Sequence, residues 1–221
     1  MSVAGLLLAA GGGSRLGYPK ALVDYEGEML VERGARLMCS AGLVPVLVVL
    51  GAGAPAVLEH AHIAPARAVV NKKWQEGIGS SLRAGLAALE AGDGAGAPWP
   101  DGGRVGAALV ALADQPFVSP ELFRRLVAAW ADGAPAVVAT FGGEQRNPVV
   151  LDRSLWEDVK ASASGDVGAR VFLRSHPELV SAVACDDVGS AFDIDTASDL
   201  RRRRRPQGEA DAAISGSCSS E

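Results

Sequence analysis

The side chains best suited to phosphate chemistry in this 221-residue chain lie in one glycine-rich loop and two aspartate-bearing segments. The loop reads Leu8-Ala9-Ala10-Gly11-Gly12-Gly13-Ser14-Arg15-Leu16-Gly17, with Lys20 three residues on. Glycines let backbone N–H groups approach phosphate oxygens closely, and the two cations Arg15 and Lys20 can neutralise a triphosphate. Two familiar templates fail. The dinucleotide fingerprint counted from Gly11 requires glycine where Leu16 stands, and the P-loop counted from Gly12 requires lysine where Tyr18 stands. Taken alone, the loop reads equally well as a tight turn with a surface Arg and Lys.

Asp114 closes a strongly apolar run in Leu112-Ala113-Asp114-Gln115-Pro116. A carboxylate just past a buried strand is costly unless it meets a cation or a hydrogen-bond donor. Magnesium favours one or two carboxylates completed by phosphate oxygens and water, a role that suits Asp114. Turn chemistry of Asp before Pro is the structural alternative. In Phe192-Asp193-Ile194-Asp195-Thr196, an extended backbone would point Asp193 and Asp195 to the same side. One of the pair can complete a metal site, with Asp193 slightly favoured, and the other can cap a helix starting at Thr196. Gly79, Ser80 and Ser81 follow Asn71 and Trp74 and open a helix, where hydroxyls also serve as caps. His60, His62 and His176 lie in polar stretches and read as surface residues.

Positioning these groups requires a frame, and the chain alternates short β-rich runs with helical ones. Strands are expected at Val3–Ala9, Val44–Leu50, Arg67–Val70, Val105–Ala113, Pro135–Phe141, Pro148–Leu151 and Leu179–Ala184. Helices are expected near Met29–Ala41, Ser80–Glu90, Ser154–Ala161 and Ala169–Ser175, with another opened by Ser119-Pro120 and a short last one after Thr196. Residues 91–104 read as a surface loop. The alternation predicts a three-layer, Rossmann-like α/β domain with a mostly parallel sheet over residues 1–203 and a disordered tail over 204–221.

Composition narrows the function classes. The chain is 48% apolar with a formal net charge of −5, which leaves no nucleic-acid footprint apart from the local run Arg201–Arg205, read as a solvated helix end. No apolar run reaches the roughly 18–20 residues that would span a membrane. Cys39, Cys185 and Cys218 form no CxxC pair or disulfide framework, so a cytoplasmic setting is expected.

With these residues in view, LAAGGGSRLGYPK resembles the opening signature of the nucleotidyltransferases that build molybdenum-cofactor dinucleotides, LAxGxSxRMG followed shortly by Lys. Leu16 replaces the usual Met. The LADQP segment at Asp114 and the DIDT segment at Asp193–Thr196 are similar to later motifs of that family, with Ala197 standing for its proline. The Asn71…Trp74…Gly77–Leu82 and Gly165-Asp166-Val167-Gly168-Ala169-Arg170 segments resemble its cytidylyltransferase branch. The resemblance covers roughly residues 3–200.

It implies a nucleotidyltransferase fold and transfer of CMP from CTP to molybdopterin with Mg2+, releasing pyrophosphate. It implies that Leu8, Ala9, Ala10, Gly11 and Gly12 line the nucleotide site. Arg15 and Lys20 would then contact the triphosphate, and Asp114 with Asp193 or Asp195 would hold the metal. Asn71, Gly79, Ser80 and Ser81 would lie at the base, and Asp166 and Arg170 at the pterin acceptor. A recipient molybdenum enzyme is the further partner implied.

The guanylyl-transferring branch usually has glycine where Ala10 stands, so the added methyl favours CTP over GTP. Family members often have glycine two residues before the proline at 148, where this chain has Arg146. Guanylyl, sugar-phosphate or deazaflavin-cofactor transfer on the same scaffold remain as alternatives, as does a non-catalytic cofactor-handling partner.

Overall fold

The apolar run that opens the chain forms a strand buried on both faces. In β1 (Ser2–Ala9), Val3, Leu7 and Ala9 enter one hydrophobic cluster, and Ala4, Leu6 and Leu8 enter another. This alternation is what a strand does when helices cover both sides of its sheet. The structure, a computed structural model, describes residues 1–13, 16–92 and 104–202. The expected tail over 204–221 and most of the expected loop lie outside the described residues; Ala91 and Gly92, expected in that loop, instead end a helix.

Along the chain follow the small hairpin β2 (Asp24–Tyr25) and β3 (Glu28–Met29), α1 (Leu30–Ser40), β4 (Val46–Leu50), α2 (Ala54–His60) and β5 (Arg67–Val70). Next come α3 (Ile78–Gly92), β6 (Val105–Leu112), α4 (Pro120–Ala131), β7 (Ala136–Phe141) and β8 (Glu144–Asp152). The described elements end with α5 (Trp156–Ser162), α6 (Arg170–Ser175), β9 (Val180–Ala184) and α7 (Ala197–Arg202). The seven-stranded sheet has the order β5-β4-β1-β6-β8-β7-β9, and β8 alone runs antiparallel to its neighbours.

The helices form the two outer layers. Val31, Ala35 and Met38 of α1 pack on one face together with Leu122, Phe123 and Leu126 of α4. Leu82, Leu86 and Leu89 of α3 pack on the other with Trp156 and Val159 of α5. Fully burying each such aliphatic side chain contributes roughly 1.5–3 kcal/mol relative to exposure. The outer helices approach β1 closely: a Cβ at Gly34 or Gly85 would come within 2.7 Å or 2.4 Å of Leu7 or Leu6. The expected three-layer, Rossmann-like arrangement with a mostly parallel sheet describes this fold.

Two elements escape the sequence patterns, the β2–β3 hairpin, whose strands are two residues each, and α2, whose seven residues are mostly Ala, Pro and polar side chains. The start of α4 follows its signal: Ser119 Oγ accepts from the Leu122 N–H at 3.1 Å, and Pro120 occupies the first turn. From β1 the chain winds through β4 and β5 to one side and then crosses to β6 on the other. Ligands in open α/β sheets bind beyond the strand ends at such a reversal, so the ends of β1 and β6 are the place to look.

Candidate active site

The glycine loop leaves β1 where it must turn sharply. Gly13 has φ +61°, and a Cβ there would lie 2.0 Å from the Tyr18 carbonyl oxygen, so no side chain fits. The Leu16 and Gly17 N–H groups both donate to the Gly13 carbonyl, at 2.8 and 2.9 Å, closing the turn. Ser14 and Arg15 lie outside the described residues. Lys20 then opens a short 3-10 turn, Lys20–Leu22, behind Pro19.

Lys20 reaches across to both distant acidic segments. Its Nζ donates to Asp114 Oδ2 at 2.6 Å and also to Asp195 Oδ1. Burial alone would lower its pKa, but the charges and hydrogen bonds of Asp114 and Asp195 outweigh that and raise it, so the ammonium stays charged. The acidic segments meet for a backbone reason. The Ile194 N–H donates to the Asp114 carbonyl at 2.8 Å, and the Ile194 side chain is fully buried with Val23, Tyr25 and Leu30. With Ile194 turned inward, the flanking Asp193 and Asp195 turn outward to the cavity.

Asp193 Oδ1 accepts from Gln115 Nε2 at 2.8 Å. Desolvation by the protein on its inner side, then the Asp114 charge, push the Asp193 carboxyl above the ordinary range, although its outer side is exposed. At the expected helix start, Thr196 and Asp199 bond each other. The Thr196 N–H donates to Asp199 Oδ2 at 2.7 Å and the Asp199 N–H to Thr196 Oγ1 at 3.3 Å, a reciprocal capping pair at the start of α7.

These groups fit a hard divalent cation. Magnesium takes oxygen ligands and retains waters. Asp114 and Asp195 already share one cation, the Lys20 ammonium. Beside them Gln115 Oε1 is buried and, among the described residues, accepts no hydrogen bond. An orphaned acceptor costs about 1–3 kcal/mol unless water or a hydrated ion satisfies it. Lys20 thus links Asp195 to Asp114, whereas Asp193 is bonded to Gln115.

A cavity of about 310 Å³ lies over the ends of β1 and β6. Leu8, Ala9, Ala10, Gly11 and Gly12 line it from the loop, Lys20 and Asp114 line it at its mouth, and Ser81 and Asp166 line a further wall. Asn71, Gly79 and Ser80 stand behind that wall. Asn71 Nδ2 donates to Ser80 Oγ at 2.8 Å and to Ser81 Oγ at 3.1 Å, and Asn71 Oδ1 accepts from the Lys73 N–H at 2.9 Å. All three polar side chains are buried, so their bonds fix the turn carrying Trp74, Gln75 and Gly77 to the cavity edge. Gly79 abuts the Ala163–Ser164 backbone, where a Cβ would meet Ser164 N at 2.7 Å.

Two further spaces continue the groove, one of about 200 Å³ and one of about 540 Å³, and Arg170 lines both. Sequence reasoning assigned no site role to Gln115, Gln75 or Trp74, although all three fall inside the quoted motifs. Their only signal was adjacency to residues already marked, Asp114 and the 77–82 segment.

The family model of the MobA-like NTP transferase domain matches residues 5–180. A nicotine blue oxidoreductase of Paenarthrobacter nicotinovorans is 40% identical over 207 residues, covering 90% of this chain and 95% of that protein. The crystal structure of Rv0371c from Mycobacterium tuberculosis H37Rv superposes with a TM-score of 0.75 at 27% identity, covering 91% of this chain and 97% of that one. The same protein has also been solved as a manganese complex, with a TM-score of 0.73 at 25% identity. A nucleotidyl transferase from Methanothermobacter thermautotroptrophicus shares the fold at TM-score 0.72 and 23% identity, covering 91% of this chain and 95% of that one. With its glycine loop, lysine and two acidic segments converging at the sheet's reversal point, the chain belongs to the MobA-like NTP transferase family.

Proposed function

We propose that this protein transfers CMP from CTP to molybdopterin with magnesium and releases pyrophosphate. The observation that carries the nucleotidyl-transfer reading is Lys20 bridging Asp114 and Asp195 at the mouth of a cavity walled by the glycine loop. In the reaction an acceptor phosphate oxygen forms a bond to the α-phosphorus, and the bond from that phosphorus to the β-bridging oxygen breaks. The electron pair leaves with pyrophosphate. A phosphate monoester is largely ionised at neutral pH, since its second pKa is about 6, so no base is needed to activate it. Consistent with that, no histidine lines the three cavities among the described residues.

The chain's own residues act by position and charge. Backbone N–H groups at Gly11 and Gly12 face phosphate oxygens, and Arg15 and Lys20 hold the charge that develops on the leaving pyrophosphate. Asp114 and Asp195 would hold magnesium, which supplies charge neutralisation on phosphate oxygens. Ser81, Gln75 and the face of Trp74 bound the base. The buried Ala10 methyl narrows that end of the cavity, which supports CTP over GTP. Support for a metal comes from the orphaned Gln115 oxygen and from the manganese complex of Rv0371c.

One finding favours a second reading. The 40% identical relative is named an oxidoreductase, so the same cavity can be read as holding a dinucleotide for electron transfer to an aromatic acceptor. One experiment separates the two. The full chain is given each nucleoside triphosphate with Mg2+, with and without molybdopterin, and pyrophosphate is measured; in parallel, NADH and NADPH oxidation is followed with a quinonoid dye. Acceptor-dependent pyrophosphate formation, greatest with CTP, is expected. Reduced-nicotinamide consumption without pyrophosphate from any triphosphate would replace the first reading with the second.

A further inference from the structure

Past the carboxylates the groove changes character. The space of about 200 Å³ has an apolar floor that includes Val110, Val138, Val149 and Leu173. The neighbouring space of about 540 Å³ is flanked by Asp193 and Asp195. Leu112, Arg146, Asn147 and Arg170 line both and so mark the neck where they join.

Arg146 reaches this neck through a break in strand pairing. The β7–β8 register passes from Val138 opposite Val149 directly to Ala139 opposite Arg146, which leaves Asn147 and Pro148 as extra residues on β8. Such bulges re-aim side chains, and they recur beside functional sites. Arg146 also forms an ion pair with Glu144, two residues earlier on the same face of the strand, which limits where the guanidinium can point. Arg170, on the other segment at the neck, makes no ion pair among the described residues. Two guanidinium groups at the boundary between an apolar floor and a carboxylate-flanked space suit one ligand shape. It is an apolar or flat body that fills the smaller space and ends in an anion at the neck.

We infer that Arg146, together with Arg170, determines acceptor specificity by holding the acceptor's terminal phosphate at this neck, with its apolar body in the smaller cavity. This rests on the nucleotidyl-transfer reading for the anion's part in the reaction, whereas the charge-selective binding itself needs no turnover. A neutral acceptor of the same shape fills the floor but leaves both guanidinium groups without their anion, and so binds more weakly.

The test uses the full chain without nucleotide and two probes, 1-naphthyl phosphate and 1-naphthol, titrated by calorimetry. Wild type binds the phosphate ester more tightly than the alcohol. Arg146→Gln lowers ester affinity by about tenfold and leaves the alcohol unchanged, while Arg146→Lys keeps most of the preference. Thermal melts of each variant show that it is folded. Equal affinity of wild type for the two probes overturns the assignment, and so does an Arg146→Gln loss that is the same for both. Charge-selective binding that depends on Arg146, found in a protein that releases no pyrophosphate, upholds this subsite and rejects only the transfer reading.

Discussion

Replacing Lys20 by Gln removes a cation that two partly buried carboxylates share. The Lys20 and Asp114 side chains are each 20% exposed and that of Asp195 is 42% exposed, so the cluster lies between a surface pair and a buried one. Exposed pairs contribute about 0.2–1 kcal/mol, and breaking a buried pair costs about 3–5 kcal/mol. An intermediate loss of roughly 1–3 kcal/mol follows. For a domain of this size each kcal/mol lowers the melting temperature by about 2–4 °C, which gives a fall of roughly 3–10 °C at pH 7.

The pH dependence of that fall carries a sign. Lys20 has a raised pKa, so its stabilising charge is complete below its ordinary value of 10.5 and is lost only as pH rises past the folded value. Melts of both proteins by circular dichroism at pH 7 and at rising alkaline pH, with and without Mg2+, measure this. In the variant Mg2+ restores part of the loss without nucleotide, because the site again holds a cation. No melting shift between the two proteins at pH 7 refutes the idea that the carboxylates are held together by this charge.

Asp193 has a raised pKa, so ionising it costs folding stability from about pH 3.8 upward, and that cost is complete once pH passes the folded value. Asp193→Asn therefore raises the melting temperature at pH 7 by a small amount, under about 1 kcal/mol given its exposed side, and the gain vanishes below pH 3.8. Gly77→Ala is strained at φ +93° and drives a methyl to 2.4 Å from the Gly165 backbone. It should cost about 1–3 kcal/mol in urea unfolding and weaken nucleotide binding measured by calorimetry. Ala10→Gly removes the methyl at the base end of the cavity and should shift pyrophosphate release toward GTP relative to CTP; an unchanged ratio rejects the steric account of base choice.

How much was legible in the sequence depended on range. The strand end at Ala9, that of β6 to within one residue, the Ser119 cap and the glycine loop were readable because each follows from a few adjacent residues and their backbone preferences. The alternation of apolar strands with helices likewise determined a parallel sheet covered on both faces, since no other layer arrangement buries β1 so completely. Local spacing could not place Asp195 rather than Asp193 beside Lys20. Ile194, through its buried side chain and its bond to the Asp114 carbonyl, turns both aspartates outward, and the separate partners Lys20 for Asp195 and Gln115 for Asp193 arise only in the folded chain. Nor could it tell that Asn71 and Ser80 face one another instead of the cavity, or that a bulge carries Arg146 to the groove. Residue types announce which chemistry is available, but which atoms meet across 94 or 175 positions of chain is settled by packing and buried hydrogen bonds, which exist only once the sheet has assembled.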